Sequence, residues 1–247
     1  MKISIITVCY NSAATIEKTI QSVAAQTYKN LEYIVVDGNS NDATLSIIKK
    51  YDSVITKWIS EPDKGLYDAM NKGIALATGD IVGILNSDDT FATETVLEEV
   101  AHFHANNTID ASVGNIVQHN KQGKILRKYL AKNWLPEKLK IGFMPAHPAI
   151  FFKRELFENY GTYALDFKIG ADYELITRFF LKNKISWRYS GITTTAMLIG
   201  GVSSSGYESY KLITKEIAKA LNRNNIEFSY AKIFLRGLWK LGGLFNK

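Results

Sequence analysis

The apolar residues of the first hundred positions follow two alternating spacings. Short, nearly continuous apolar runs, which are strand-like, alternate with segments in which apolar residues recur at helical spacing. Ile16, Ile20 and Val23 show the helical spacing in "AATIEKTIQSVAAQ". This alternation is typical of βαβ units and of a largely parallel sheet. The four predicted strands lie in residues 2–10, 31–38, 54–61 and 80–89. The predicted helices of this half lie at residues 13–26, 41–51, 66–78 and 93–106.

Polar residues before the apolar helical positions predict where the helices begin. Ser, Thr, Asn and Asp are preferred at a helix N-cap because their side chains accept a hydrogen bond from a free backbone N–H. The predicted N-caps are Asn11 or Ser12, Ser40 or Asn41, and Thr93.

The pattern changes after Asn107, where we place a domain boundary. "ASVGNIVQHN" and "KILRKYL" are strand-like and are separated by "KQG", which predicts a hairpin added to the sheet. A proline-punctuated loop then enters a buried run over residues 142–152, and we predict a helix at 171–183 and a strand at 185–198.

Composition indicates a folded protein without a disulfide framework. The 247 residues are 46% hydrophobic, enough for one large domain or a domain with an elaborated C-terminal part. The single cysteine, Cys9, lies in an apolar run, so we expect a core residue and a reducing, cytoplasmic compartment. The N-terminal apolar stretch is too short for a signal peptide, and no run reaches the ~18 apolar residues of a membrane span. We therefore expect a soluble or peripheral protein.

Positive charge is concentrated at the C-terminus. The net charge is +6, and residues 207–247 contain eight Lys or Arg against three Glu, which predicts an acidic partner. If residues 229–245 form a helix, Lys232, Arg236 and Lys240 share one face. The opposite face would carry Tyr230, Phe234, Leu238, Leu241 and Phe245.

Two interpretations of this C-terminal segment remain open. The helix could cover the core, or residues 228–247 could lie on anionic lipid with Trp239 near the polar boundary. Nucleic-acid binding is disfavoured because no base-reading or aromatic-platform motif accompanies the basic residues.

Polar residues follow each of the four predicted strands. Ligands of an open parallel sheet bind beyond the carboxyl ends of its strands, so these side chains are expected to share one edge. Each alone could be a turn or cap residue, but crowded acids repel one another, and a bound cation would relieve the repulsion. The residues are Tyr10 and Asn11, Asp37, Glu61 and Asp63, and Asp88 and Asp89.

Asp88 and Asp89 suggest a divided role. Side chains alternate along a strand, so adjacent carboxylates can face a ribose hydroxyl and a metal. Oxygen ligands without nearby His or Cys favour Mg²⁺ or Mn²⁺. The sequence contains neither G-x-G-x-x-G after a strand nor G-x-x-x-x-G-K-[ST], which disfavours dinucleotide oxidoreductases and P-loop enzymes.

Three segments closely resemble the family 2 glycosyltransferases, inverting enzymes of the GT-A fold. They are "ITVCYNSAATIEKTIQSVAAQTYKNLEYIVVDGNSNDAT", "SEPDKGLYDAMNKGIALATGDIVGILNSDD" and "GADYELITRF". The resemblance implies a Rossmann-like, mostly parallel central sheet flanked by helices, with a C-terminal acceptor-side extension and a terminal amphipathic helix. Residues 1–107 would form the nucleotide-sugar-binding half, 108–205 the acceptor-side half, and 206–247 basic amphipathic helices.

The resemblance also assigns roles to individual residues. Asp37 would accept a hydrogen bond from uracil, and "SDD" would correspond to the family's D-x-D motif with Ser87 at its first position. Asp89 would then hold the metal and Asp88 the ribose. The residues expected to border the base are Thr7, Tyr10 and Asn11. Those expected to line the nucleoside and diphosphate are Asp63, Lys64, Gly65, Asp68 and Asn71.

Asp172 in "GADYEL" matches the catalytic base of the family. The acceptor hydroxyl must lose a proton as it attacks the anomeric carbon, and the metal at Asp89 would stabilise the departing diphosphate. Asp172 could instead cap a helix, and Glu174 is the second candidate for the base. His147, between two prolines, is either structural or contacts the acceptor or diphosphate.

The expected function is metal-dependent, inverting transfer of a sugar from a nucleotide-diphosphate donor, UDP-linked, to a hydroxyl of a lipid-linked or polysaccharide acceptor. Mn²⁺ or Mg²⁺ is the expected cofactor, and the expected location is cytoplasmic, peripheral on the inner face of the membrane. One alternative is a sugar nucleotidylyltransferase, but "TVCYNSAAT" lacks its Gly-rich, Arg-bearing loop. The other is a non-catalytic nucleotide-sugar-binding subunit, which would not require the base.

Overall fold

The computed structural model describes residues 1–120, 122–199 and 206–236. The predictions for Leu238, Trp239, Lys240, Leu241 and Phe245 lie outside the described residues. The chain forms two compact units, each built from separate segments. The first unit comprises the described residues of Met1–Lys132, Pro145–Tyr163 and Ser186–Ile199. The second comprises the described residues of 133–144, 164–185 and 206–236.

The first unit contains all the strands of the described chain. The strands are β1 (Ile3–Cys9), β2 (Leu31–Asp37), β3 (Lys57–Ser60), β4 (Ile81–Ile84), β5 (Thr90–Phe91), β6 (Ala111–His119), β7 (Ile125–Tyr129), β8 (Ile150–Lys153) and β9 (Trp187–Leu198). Its helices are α1 (Ile16–Ala24), α2 (Thr44–Lys50), α3 (Leu66–Leu76), α4 (Val96–Ala105) and α5 (Glu155–Tyr160), with a 3₁₀ turn at His147–Ala149.

The second unit is helical in its described residues. It contains a 3₁₀ helix at Pro136–Ile141, then α6 (Ala171–Thr177), a π-helical turn at Arg178–Lys182, and α7 (Gly206–Arg223). Residues 230–236 are also helical. The predicted division into continuous segments 1–107, 108–205 and 206–247 does not coincide with these discontinuous units, and its functional assignment stays a prediction.

The strands form one mixed sheet with the order β3-β2-β1-β4-β8-β6-β9-β5, and β7 pairs with β6. β3, β2, β1 and β4 are mutually parallel, which confirms the predicted parallel sheet. β8 is antiparallel to both β4 and β6, and the predicted β6–β7 hairpin is present. The strand order reverses between β1 and β4, and ligands of open α/β sheets bind at such a switch point.

Helices pack on both faces of β1, which is buried along its whole length. Ile3, Ile5 and Cys9 join the core that also holds the apolar face of α1, so Cys9 is a buried free thiol as predicted. On α3, a Cβ built at Gly73 would lie 2.3 Å from Ile6 Cγ2. The glycine therefore lets α3 approach β1 closely, with the first turn of the helix toward the carboxyl ends of the strands.

The predicted N-caps are wrong. α1 begins after Thr15, α2 after Ala43 and α4 after Thr95, and none of the three makes a side-chain cap hydrogen bond. The polar residues expected as caps bond between loops instead, because the Asn11 N–H donates to Ser40 Oγ over 2.8 Å. The sequence shows that these polar residues favour turns, but it does not show which distant loop residue each of them bonds to.

The polar face predicted for the C-terminal helix is also wrong at Arg236. Arg236 is only 2% exposed, whereas Tyr230 and Phe234 of the predicted apolar face are exposed. The Arg236 guanidinium lies 4.6 Å from the centroid of the Tyr210 ring and donates to Thr214 Oγ1 over 2.9 Å. These contacts with α7 compensate the buried charge and turn this side of the helix inward.

Among the described residues, no helix combines the length and apolarity that a membrane crossing requires.

Candidate functional site

The loops after β1 and β2 are joined by Asn11. Its backbone has a left-handed conformation with φ of 50°, its N–H donates to Ser40 Oγ, and its Oδ1 accepts from the Asn41 N–H over 2.9 Å. Asn11 therefore fixes the loops that carry the predicted base contacts. Tyr10, which precedes it, is 61% exposed and presents its ring at the carboxyl end of β1.

Asp37 lies at the end of β2 and is fully buried. Its carboxylate accepts from Ser40 N–H at 3.1 Å, Ser40 Oγ at 2.5 Å and Ser60 Oγ at 2.6 Å, and from Cys9 Sγ at 3.6 Å. The Cys9 thiol lies at the same distance from the Val36 carbonyl, so its single proton is shared between two acceptors. These contacts make Asp37 the residue that organises the loops, and its predicted acceptance of a hydrogen bond from uracil stays a prediction.

Thr7 lies deeper in β1 than the predicted base pocket. It is fully buried and its Oγ1 accepts from the Tyr33 hydroxyl over 3.1 Å. Its predicted contact with the base stays a prediction.

Tyr10, Gly38 and Asp63 meet at the edge of the sheet. A Cβ built at Gly38 would lie 2.4 Å from Asp63 Oδ2 and 3.5 Å from Tyr10 Cδ2. The absence of a side chain at Gly38 therefore leaves the space that the Asp63 carboxylate occupies. Gly38 was missed by the sequence analysis, and its only signal was a glycine directly after the strand that ends at Asp37.

The start of α3 is shaped by Gly65 and Asp68. Gly65 has φ of 111°, a conformation that favours glycine, and its N–H donates to Asp63 Oδ1 over 2.8 Å. The Lys64 N–H donates to Asp68 Oδ2 over 2.9 Å. Asp68 thus stabilises the first turn, while the Lys64 side chain is exposed and makes no ion pair with the described residues.

Asn71 holds the backbone at Tyr163, and its predicted place along the donor site stays a prediction. Its Nδ2 donates to the Tyr163 carbonyl and its Oδ1 accepts from the Tyr163 N–H, each over 2.8 Å. The rings of Tyr67 and Tyr163 stack with centroids 5.6 Å apart. Both ends of the Asn71 amide are engaged, so this residue anchors the backbone at Tyr163 to α3.

Asp88 and Asp89 lie in the turn after β4, which ends at Ile84, so the predicted strand over residues 80–89 is too long and the expected alternation along it does not apply. The two side chains nevertheless have different surroundings. Asp88 is exposed, whereas Asp89 is only 1% exposed. The turn is held by the Asp89 N–H, which donates to the Asn86 carbonyl over 3.0 Å, and by Thr19 Oγ1, which donates to the Asp89 carbonyl over 2.7 Å. Ser87 Oγ bonds to Ser12 Oγ over 3.0 Å and joins the loops after β1 and β4.

Burial, and after it the neighbouring Asp88 carboxylate, raise the pKa of Asp89 from 3.8 to about 7. Hydrogen bonding from Asn86 and the Leu198 backbone acts in the opposite direction. Within the described residues, Asp89 Oδ1 and Asn86 Oδ1 are buried and have no hydrogen-bond partner of ordinary geometry.

These two oxygens fit a hard divalent cation. Mg²⁺ and Mn²⁺ take carboxylate and amide oxygens and keep positions for substrate phosphates. A cation would also favour the ionised Asp89, whose charge is otherwise costly at this depth. The described residues contain no cluster of three or more acids, histidines or cysteines that could hold a metal.

His147 lies in the 3₁₀ turn before β8, and its Nε2 is buried. Burial lowers the pKa of His147 to about 4. The ring is therefore neutral near pH 7, so a contact with acceptor or diphosphate would be a hydrogen bond and not a charge pair.

In the second unit, Asp172 occupies the first turn of α6 and Glu174 lies behind it. Asp172 is partly exposed, and its Oδ1 accepts from the Tyr173 N–H over 2.7 Å. Glu174 is buried and accepts from Arg178 Nε at 3.1 Å, Arg178 Nη2 at 2.9 Å and Asn224 Nδ2 at 3.1 Å. Glu174 is thus engaged in a structural ion pair, which removes it as the second candidate for the base.

Glu216 of α7 holds the backbone that precedes α6. Its two carboxylate oxygens accept from the Lys168 N–H at 2.7 Å and the Ile169 N–H at 3.0 Å. A Cβ at Gly170 would lie 3.0 Å from both Glu216 Cβ and Oε2, so the glycine permits this approach. Glu216 positions the segment that leads into Asp172, and no local pattern predicts this pairing across 48 and 47 positions.

The sequence model of glycosyl transferase family 2 matches residues 4–162, the segment that carries the strand ends described above. The chain belongs to glycosyl transferase family 2. A glycosyltransferase of Mycobacterium tuberculosis, Rv1514c, described as uncharacterized, is 36% identical over 187 residues, which are 71% of this chain and 68% of that protein. The protein is therefore a glycosyltransferase, as predicted, and not a sugar nucleotidylyltransferase or a non-catalytic subunit.

Two further comparisons concern a named activity and the fold of this family 2 enzyme. The Escherichia coli glucosyltransferase WfaP, named as UDP-Glc:alpha-D-GlcNAc-diphosphoundecaprenol beta-1,3-glucosyltransferase, is 36% identical over 114 residues, 46% of this chain and 45% of WfaP. The crystal structure of Staphylococcus aureus TarS 1–349 with UDP-GlcNAc superposes with a TM-score of 0.72, covers 96% of this chain and 72% of TarS, and is 21% identical. The TarS likeness confirms the GT-A fold.

Proposed function

We propose that this family 2 glycosyltransferase is a metal-dependent, inverting enzyme that moves a sugar from a UDP-sugar to a hydroxyl of a lipid-linked or polysaccharide acceptor. The observation that carries the proposal is the pair formed by buried Asp89, with one oxygen lacking a hydrogen bond, and exposed Asp88. The pair follows β4 at the point where the strand order reverses, which is where a nucleotide binds in an open α/β sheet.

The donor would lie along the edge formed by the loops after β1, β2 and β4. The exposed Tyr10 ring and the Asp63 carboxylate, which meet beside Gly38, would contact the base and nucleoside. Asp88 would accept from a ribose hydroxyl, and the exposed Lys64 ammonium would approach the diphosphate. UDP is the nucleotide in the name of WfaP and in the TarS complex, which favours a UDP-linked donor here.

Asp89, with Asn86 Oδ1, would hold Mn²⁺ or Mg²⁺. When bound, the cation would supply Lewis-acid stabilisation of the departing diphosphate. Asn86 was not predicted from the sequence as part of this site. Its part follows from its buried amide oxygen, which has no partner among the described residues.

Asp172 would serve as the general base. The acceptor oxygen forms a bond to the anomeric carbon, the bond from that carbon to the diphosphate oxygen breaks, the acceptor proton passes to the Asp172 carboxylate, and UDP leaves. A single displacement inverts the anomeric configuration and needs no protein nucleophile. Its partial exposure leaves Asp172 accessible to an acceptor, whereas the buried Glu174 is not.

A lipid-linked acceptor would place the enzyme on the inner face of the cell membrane. The name of WfaP contains a diphosphoundecaprenol acceptor, which supports this acceptor class. The predicted membrane contact of residues 228–247 remains a proposal for its described part. There Tyr230, Phe234 and Leu235 are exposed beside the exposed Lys232.

A thermal-shift screen of nucleotide sugars with and without Mn²⁺ tests the donor, because a ligand that binds only the folded state raises its stability. The expected result is a shift with one or more UDP-sugars that increases with Mn²⁺. With the donor known, Asp172→Asn should retain donor binding and lose transfer, and the wild-type product should have inverted configuration by NMR. Full transfer by Asp172→Asn would contradict the assignment of the base.

A further inference from the structure

The strand β7 and the residues that follow it expose an unusual number of aliphatic side chains. Ile125 is 53% exposed and Leu126 46% in β7, and Leu130, directly after the strand, is 61% exposed. Single exposed leucines are normal on a protein surface, whereas a cluster of them indicates a binding surface. We call residues 124–132 the hairpin patch.

The hairpin patch is also positively charged without compensation. Lys124, Arg127, Lys128 and Lys132 are exposed, and none of them makes an ion pair with the described residues. The sequence contains no Asp or Glu between Asp110 and Glu137. The patch therefore combines cations and aliphatic groups in one short segment, at a distance in sequence from the basic C-terminus.

The hairpin patch is firmly attached at its base. Buried Asn115 of β6 accepts from the Ala131 N–H over 2.9 Å and donates to the Gly191 carbonyl over 3.0 Å. The register between β6 and β7 shifts at Gln118 and His119, which leaves Leu126 as the extra residue of a bulge. Within the described chain, β7 pairs only with β6, so it is an edge strand.

Lysines and a bulge on an edge strand also serve to block pairing between sheets. That explanation accounts for the cations but not for three exposed aliphatic residues, which would promote the association that the cations prevent. Association of two copies through this strand would bring the cations of both patches together. A nucleic acid would neutralise the cations but would leave the aliphatic groups without a partner.

We propose that the hairpin patch docks on an anionic phospholipid surface. Lys and Arg are attracted to anionic headgroups, and aliphatic side chains between them enter the boundary of the acyl chains. This contact is separate from the one proposed for residues 228–236. It would bring the enzyme to a lipid-linked acceptor, but it does not depend on the identity of the donor, metal or base.

Co-sedimentation of the full chain with vesicles tests the proposal. We expect binding to equimolar phosphatidylcholine and phosphatidylglycerol and little binding to phosphatidylcholine alone. Lys124→Gln/Lys128→Gln should weaken binding roughly fivefold for each cation removed, and Ile125→Ser/Leu126→Ser/Leu130→Ser should weaken it by at least about tenfold. Matched controls are Lys18→Gln/Lys49→Gln and Leu165→Ser, which alter exposed residues elsewhere and should bind as wild type.

Thermal unfolding and the nucleotide-sugar thermal shift should be unchanged in every hairpin variant, which separates loss of docking from loss of fold or of the donor site. Tyr230→Ser/Phe234→Ser measures the contribution of the C-terminal contact independently. Wild-type binding by both hairpin variants, or no binding by the wild type, would overturn the proposal. The proposal would also be overturned if the wild type formed a dimer, or bound duplex DNA, and the hairpin variants did not.

Discussion

Replacing Asp89 with Asn should stabilise the metal-free enzyme at neutral and higher pH. The folded-state pKa of Asp89 is about 7, above the 3.8 of an exposed aspartate. Below the lower value both states are protonated and the carboxyl has no cost. As pH rises between the two values the unfolded state ionises first, so the folded protein loses stability until about pH 7. This difference corresponds to about 4 kcal/mol.

Asn has nearly the same shape and cannot ionise. In EDTA at about pH 8, Asp89→Asn should therefore be more stable than wild type by up to about 4 kcal/mol, or roughly 10 °C in Tm for a chain of this length. The advantage should disappear near pH 4. Mn²⁺ should reduce this advantage to about 1 kcal/mol, because it favours ionised Asp89 and stabilises only the wild type, by about 3 kcal/mol at a hundredfold excess over Kd.

Differential scanning fluorimetry over a pH series, in EDTA and in Mn²⁺, measures both effects. Asp88→Asn is the matched control, since Asp88 is exposed and its replacement should change Tm much less. Parallel pH profiles for wild type and Asp89→Asn in EDTA would refute the inference that Asp89 is the costly buried charge.

Three further substitutions test individual contacts. Gly38→Ala would displace Asp63, because Asp63 Oδ2 lies 2.4 Å from the added Cβ. Calorimetry should then show donor affinity reduced by about tenfold with the fold intact. Unchanged donor affinity would show that Asp63 is not part of the site. Asn71→Ala loses both hydrogen bonds to Tyr163, and urea unfolding should show a loss of about 2 kcal/mol. Glu216→Gln places an amide donor opposite one of the two backbone N–H groups that Glu216 now accepts. Steady-state kinetics should therefore show a reduced kcat with the donor KM unchanged. A rise in donor KM by the same factor as the fall in kcat would instead indicate a general structural defect.

The parallel half of the fold could be predicted because the evidence for it is local. Alternation of apolar spacing predicted β1 to β4 and the helices between them. The contrast between exposed Asp88 and buried Asp89 comes from the turn after β4 and not from strand alternation. Because the carboxyl ends of parallel strands lie at the same edge of a sheet, the polar residues after these strands could be predicted to share that edge.

The contacts that define each residue's role could not be predicted because their partners are distant in sequence. Asn71 and Tyr163 are 92 positions apart, and Asp37 and Ser60 are 23 apart. The orientation of residues 230–236 was missed for a related reason. Helical spacing defines the faces of a helix, but the Tyr210 ring and Thr214 on α7 determine which face is buried.

Calorimetric titration with UDP-sugar, with and without Mn²⁺, measures whether Asp89 holds the cation of a nucleotide-sugar site. We expect Mn²⁺ to strengthen UDP-sugar binding to the wild type and to have no such effect on Asp89→Ala. Mn²⁺-dependent binding of the same strength in Asp89→Ala would contradict this assignment.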